Sequence, residues 1–208
     1  MYILLFFSGT VSHVIGAVPQ AAAFSPAAEL SKLALYIVPS LAIIWYIIYR
    51  TWKLEYWFLK PGKKDIISGL ITFPCLIIIG SSVSLVSKYI GGSSPQITIH
   101  SPSTVSGWII LCLVCIFFAY LEDTFFRFYL LSKRKEMNLS ATGALILSTA
   151  LFSVCHISSG PWGFLNAALC GTLLGFMFLR YNSLHGIAVA HGLYNITSYI
   201  LNALINKT

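Results

Sequence analysis

Residues 106–131 read SGWIILCLVCIFFAYLEDTFFRFYLL, uncharged from Ser106 to Leu121 and then carrying Glu122, Asp123 and Arg127 within six positions. About 20 apolar residues cross the ~30 Å hydrocarbon layer of a bilayer, so the stretch predicts a transmembrane helix. Glu122 lies ten residues before Ser132, or ~15 Å along a helix, which is near mid-membrane. A charge there costs at least ~2.5–3.5 kcal/mol on insertion scales, and such groups line cavities and mark function. The stretch therefore decides two things at once: the chain crosses a membrane, and this span carries chemistry.

The rest of the chain agrees. Of 208 residues, 57% are hydrophobic and 9% charged, with mean hydropathy +0.82. A soluble domain carries about 25% charged residues, so this one lacks the means to cover a water-facing surface. Seven apolar runs follow in order, at 2–18, 33–49, 65–86, 106–131, 141–157, 162–180 and 184–204, separated by Gly, Pro and Asn breakers. The expected fold is all-α, a multi-pass transmembrane helix bundle of about seven spans. It forms one integrated membrane domain, with N-terminal helices in 1–105 and a catalytic core in 106–204. The first run lacks a basic n-region and reads as a retained span rather than a cleaved signal peptide, despite the small residues at Ala21–Ala23.

The net charge of +7 does not indicate nucleic acid, because the basic residues sit in short loops between apolar runs. Arg50, Lys53, Lys60, Lys63 and Lys64 follow the second run, Lys133, Arg134 and Lys135 the fourth, and Arg180 the sixth. Lys32, Lys88 and Lys207 occupy the other side. By the positive-inside rule the more basic side is cytoplasmic, which puts the N-terminus in the cytoplasm of a cell-membrane protein. Trp45, Trp52, Tyr56 and Trp57 fit an interfacial aromatic belt. Cys75, Cys112, Cys115, Cys155 and Cys170 all lie in apolar runs and read as small buried hydrophobes, not as a metal or redox centre.

Helical spacing then sorts the polar residues within the spans. Asp123 and Arg127, four apart, share a face and can pair. Glu122 is five before Arg127, turned away by ~140° on an α-helix, and projects elsewhere. Phe152 and His156 are four apart in the fifth run, and His191 and Asn195 four apart in the seventh. A carboxylate, two histidines and an amide on three spans form a candidate site. His185 reads as interfacial, and His13 and His100 have no assigned role.

These residues carry a resemblance. Glu122-Asp123-x-x-x-Arg127, Phe152-x-x-x-His156 and His191-x-x-x-Asn195, in that order, resemble the CAAX protease and bacteriocin-processing (CPBP, or Abi) family. Gly171, Gly175 and the run Asn182-Ser183-Leu184 resemble that family's approach to its last motif. The similarity covers about residues 106–200. In one departure, the family's first motif usually opens with two glutamates, and Asp123 stands in place of the second.

The resemblance implies an intramembrane glutamic endopeptidase with no cofactor and no bound metal, acting on membrane-anchored peptides or protein tails in the lipid bilayer. Glu122 and His156 would activate a water, and His191 and Asn195 would donate hydrogen bonds to the oxyanion. Arg127 and Asp123 would brace Glu122, with Phe152 in support. Preorganised donors of this kind contribute ~3–4 kcal/mol each to a transition state. The alternatives are a zinc metalloprotease, although H-E-x-x-H is absent, and a non-catalytic Abi-type immunity or scaffold protein. A Cys155 nucleophile fails because its neighbour His156 would diverge by ~100° on a helix. A proton-coupled transporter lacks the expected symmetry between halves.

Overall fold

The structure, a computed structural model, describes residues 6, 24–51, 60–91 and 101–205, and every regular element among them is helical. Helix α1 (Pro26–Lys32) runs through a π-wound turn, Leu33–Ile37, into α2 (Val38–Thr51). Helix α3 spans Lys63–Ile90. Helix α4 (Val105–Asp123) continues through a second π-wound stretch, Thr124–Tyr129, into the short α5 (Leu130–Ser132). Then come α6 (Ala141–Val154), a 3-10 turn (Ile157–Ser159), α7 (Gly160–Tyr181) and α8 (Leu184–Ile205).

Four helical runs are long and apolar enough to cross a membrane: Pro26–Arg50, Lys63–Ile90, Val105–Lys135 and Ile157–Tyr181. They match the second, third, fourth and sixth expected spans. The expected run at 2–18 lies outside the described residues apart from Phe6, and with it the question of a cleaved signal; Trp52, Tyr56, Trp57, His13 and His100 lie outside them too. The fifth run departs from expectation. Its helix has 14 residues and rises ~21 Å, short of the ~30 Å needed, because the chain turns at Cys155 and His156. Helix α8 has 22 residues, but His185, His191, Asn195 and Asn202 dilute its apolar character. The bundle is all-helical as expected; a count of about seven spans is not established. Leu35, Leu70, Ile78 and Val105 stay exposed on its outside, as lipid-facing side chains do.

Both π-wound stretches have local consequences. Pro39 has no N–H to offer the carbonyl four residues back, and just before it the Val38 N–H reaches the Leu33 carbonyl five residues back. In the second stretch the Leu130 N–H bonds the carbonyls of Phe125 and Arg127. The Phe126 carbonyl thereby loses its ordinary helical donor, and the buried Ser148 hydroxyl of α6 donates to it at 2.7 Å. Ser148→Ala is therefore expected to strand a buried carbonyl and cost ~1–3 kcal/mol, whereas Ser148→Thr keeps the donor. Thermal unfolding of the purified variants checks this. Equal midpoints for Ser148→Ala and the parent would mean the bond carries no stability.

Helices α3 and α8 pack closely because glycines let their backbones approach. A Cβ at Gly69 would lie 3.2 Å from the Gly186 carbonyl oxygen. The α7–α8 turn is pinned to the start of α3 at the same end. Asn182 takes a left-handed conformation with φ 51°, and its carbonyl accepts from Lys64 Nζ at 3.0 Å. Ser183 Oγ donates to the Asp65 carboxylate at 2.5 Å and accepts from the Gly186 N–H at 3.1 Å. That hydroxyl caps α8 and sets the helix's entry angle, and so the place of His191 two turns on.

Candidate active site

The acidic end of α4 is closed off from solvent. Asp123 and Arg127 are fully buried and Glu122 is 3% exposed. Asp123 Oδ1 pairs with Arg127 Nη1 at 3.2 Å, as their spacing predicts. The same carboxylate's Oδ2 accepts from His191 Nδ1, also at 3.2 Å. Asp123 thus ties α8 to the arginine rather than serving Arg127 alone.

Glu122 does not point away from this group. Its Oε2 lies 3.7 Å from His191 Nε2, and the neighbouring Asp123 meets Nδ1 of the same ring. The expected ~140° divergence was from Arg127 on its own helix. What brings Glu122 in is α8, whose His191 ring lies between the two carboxylates. One cluster results.

His156 belongs to the turn after α6 rather than to a helix. Its Nδ1 lies 2.9 Å from the Phe152 carbonyl oxygen. A carbonyl only accepts, so Nδ1 carries the proton and Nε2 keeps the basic lone pair of the neutral ring. Non-helical backbone at membrane depth is tolerated where protein or a water-filled cavity surrounds it. His156 is half-buried, as is Asn195 one turn beyond His191 on α8.

Phe152 connects the parts. Its ring lies 4.1 Å from the Arg127 guanidinium carbon, 4.7 Å from the His156 ring and 6.0 Å from the His191 ring. Arg127 Nε makes no hydrogen bond among the described residues, and the face of Phe152 supplies a cation–π contact instead. Gly171 of α7 leaves room for both. A Cβ there would come within 2.9 Å of Phe152 Cδ1 and 3.3 Å of Arg127 Nη2.

The geometry joins Glu122, Asp123, Arg127, Phe152, His156 and His191, with Asn195 one turn beyond His191 on α8. A separate cavity of about 360 Å³ between α3 and α8, lined by Asp65, Phe73, His185 and Leu193 among others, does not include them. His185 also bonds Tyr120, Nδ1 to hydroxyl at 3.0 Å. Sequence reasoning missed Ser148, whose hydroxyl serves the Phe126 carbonyl.

Membrane-length helices around a buried carboxylate–histidine–arginine cluster define an integral membrane protein with a polar centre. Residues 104–197 match the family model described as Type II CAAX prenyl endopeptidase Rce1-like. The family resemblance carried by the motifs is therefore borne out over a stretch that holds all three of them. No curated protein and no solved structure matches the chain. Helices and family match together support a membrane protease of this family.

Proposed function

We propose that this protein is a metal-independent glutamic endopeptidase of the cell membrane, with its basic loops and N-terminus facing the cytoplasm. Its substrates are membrane-anchored peptides or protein tails. Residues 106–204 form the catalytic core, and 1–105 supply the helices packed around it in one domain. The observation that carries the reading is a buried Glu122 carboxylate 3.7 Å from His191 Nε2, with Phe152 against the rings of both histidines and His156 presenting a basic Nε2 by virtue of its bond to the Phe152 carbonyl.

In this mechanism a water sits between Glu122 and His156 Nε2. Glu122 takes a proton from it as its oxygen attacks the scissile carbonyl, then returns the proton to the leaving amine. One carboxyl group does both jobs, as general acid–base catalysis allows. His191, whose Nδ1–H is given to Asp123 and which needs a second proton on Nε2 for the task, and the Asn195 amide donate to the oxyanion. Arg127 and Phe152 keep Asp123 and both imidazole rings in register.

The sequence lacks H-E-x-x-H, and water activation falls to side chains rather than to zinc. Cleavage of a membrane-anchored peptide by the purified protein should persist in EDTA and in phenanthroline. Loss on chelation with recovery on adding zinc would decide for the metalloprotease.

A further inference from the structure

Helix α8 carries two of the residues given to the reaction, and it is held from two sides. On one, His191 Nδ1 meets Asp123 Oδ2 of α4 at 3.2 Å. On the other, Tyr194 meets Asn166 of α7. The Asn166 amide nitrogen donates to the Tyr194 hydroxyl at 3.0 Å, and that hydroxyl lies 3.4 Å from the oxygen of the same amide. The Cys170 thiol, one turn along α7, donates to that oxygen at 3.7 Å. Hydroxyls of Thr172, Thr197 and Ser198 bond back to the carbonyl four residues earlier on their own helices. Tyr194 instead crosses to a neighbouring helix. Its ring rests on Gly80 of α3, where a Cβ would come within 2.9 Å of Cε2, so the glycine leaves the room this crossing needs.

One such bond fixes a distance and leaves α8 able to turn about it; two on different bearings fix the turn as well. His191 and Tyr194 are three residues apart, ~60° around the helix and ~4.5 Å along it. Asn195 follows Tyr194 in the chain and lies ~40° from His191 on the other side. A helical side chain ends ~5 Å from the axis, so a turn of ~10° carries the Asn195 amide by ~1 Å. A misplacement of ~1 Å can cost ~10²-fold in rate.

We propose that Tyr194 is a positioning residue of the hydrolytic site: its bond to Asn166 sets the rotation of α8 and so holds the Asn195 amide on the oxyanion. This rests on the glutamic reading above. The phenol touches neither substrate nor water and acts through Asn195, the next residue in the chain. Helix α7, which gives no side chain to the reaction, then braces the site twice. Its Gly171 carbonyl accepts from Arg127 Nη2 at 3.5 Å, and its Asn166 holds Tyr194.

The test uses full-length protein in liposomes with a membrane-anchored peptide, and compares Tyr194→Phe, Asn166→Ala, Asn195→Ala and Glu122→Gln. Tyr194→Phe removes only the hydroxyl. It should lower kcat roughly tenfold to a hundredfold, with KM and membrane abundance unchanged. Asn166→Ala should lower kcat by a similar factor, and joining the two should add nothing, since either change breaks the same bond. Asn195→Ala should cost ~10²–10³-fold as a lost oxyanion donor, and adding Tyr194→Phe to it should leave the residual rate unchanged. A residue that only holds the bundle together would slow that variant further. If Tyr194→Phe keeps the parental kcat while Glu122→Gln is inactive, Tyr194 has no such role and the glutamic reading stands. Losses that multiply when Tyr194→Phe joins Asn195→Ala, or a fall in kcat matched by a fall in abundance, make Tyr194 a packing residue and also overturn the proposal. Full activity in Glu122→Gln removes the glutamic reading and the role of Tyr194 together.

Discussion

Glu122→Gln is expected to lower peptide cleavage to background while leaving the protein inserted and folded. Glutamine keeps the size of the side chain and a hydrogen-bonding head, so its contacts beside His191 survive. What it loses is the ability to take and return a proton, a contribution of roughly 10²–10⁴-fold in rate. Cleavage assays alongside quantified membrane abundance measure the two effects separately. A non-catalytic scaffold predicts another pattern, in which Glu122→Gln leaves the cellular phenotype intact and only changes that break the cluster matter. A Glu122→Gln protein that processes substrate at the parental rate would sink the glutamic mechanism.

Arg127→Ala should be worse for the protein as a whole. It removes the partner 3.2 Å from Asp123 and the cation over Phe152, leaving a carboxylate in a site with no access to water. Breaking one side of a buried ion pair costs ~3–5 kcal/mol, a large part of the ~5–15 kcal/mol that holds a typical protein together. Both abundance and activity should fall. The double variant Arg127→Met with Asp123→Asn removes the charges together, and such replacements are often close to neutral for folding. It should recover abundance without recovering cleavage, because a neutral amide at position 123 no longer anchors His191 as a carboxylate does. If Arg127→Ala alone is expressed and stable at parental levels, the pair is not a structural brace. Asp123 would then hold its place through His191.

The departure from the usual glutamate at position 123 takes on a physical sense here. The Asp123 carboxylate bridges Arg127 on its own helix and His191 on α8, both at 3.2 Å, within a cluster that has almost no exposed surface. The shorter side chain spans those two contacts without needing room for another methylene. Its presence therefore leaves the connection between α4 and α8 complete.

Much of this was legible in the chain because the bilayer is a severe solvent. A side chain's cost there depends on its own chemistry, so apolar runs, basic loops and a misplaced Glu-Asp-Arg trio are readable without a fold. The ion pair of Asp123 and Arg127 was readable too, since four residues on a helix bring them together whatever surrounds them. The tertiary structure decided everything that depends on where winding departs from the α-helix and on which element comes alongside. The approach of α8 put His191 between Glu122 and Asp123, which spacing within α4 could not foretell. The early end of α6 put His156 in a turn and selected its protonated nitrogen through a carbonyl four residues back. Ser148 gained its task only because a widened turn next to it released the Phe126 carbonyl. Composition records the cost of each residue in lipid. Which groups meet is set by hydrogen-bond registers and helix packing, where a shift of one residue in a turn changes every neighbour beyond it.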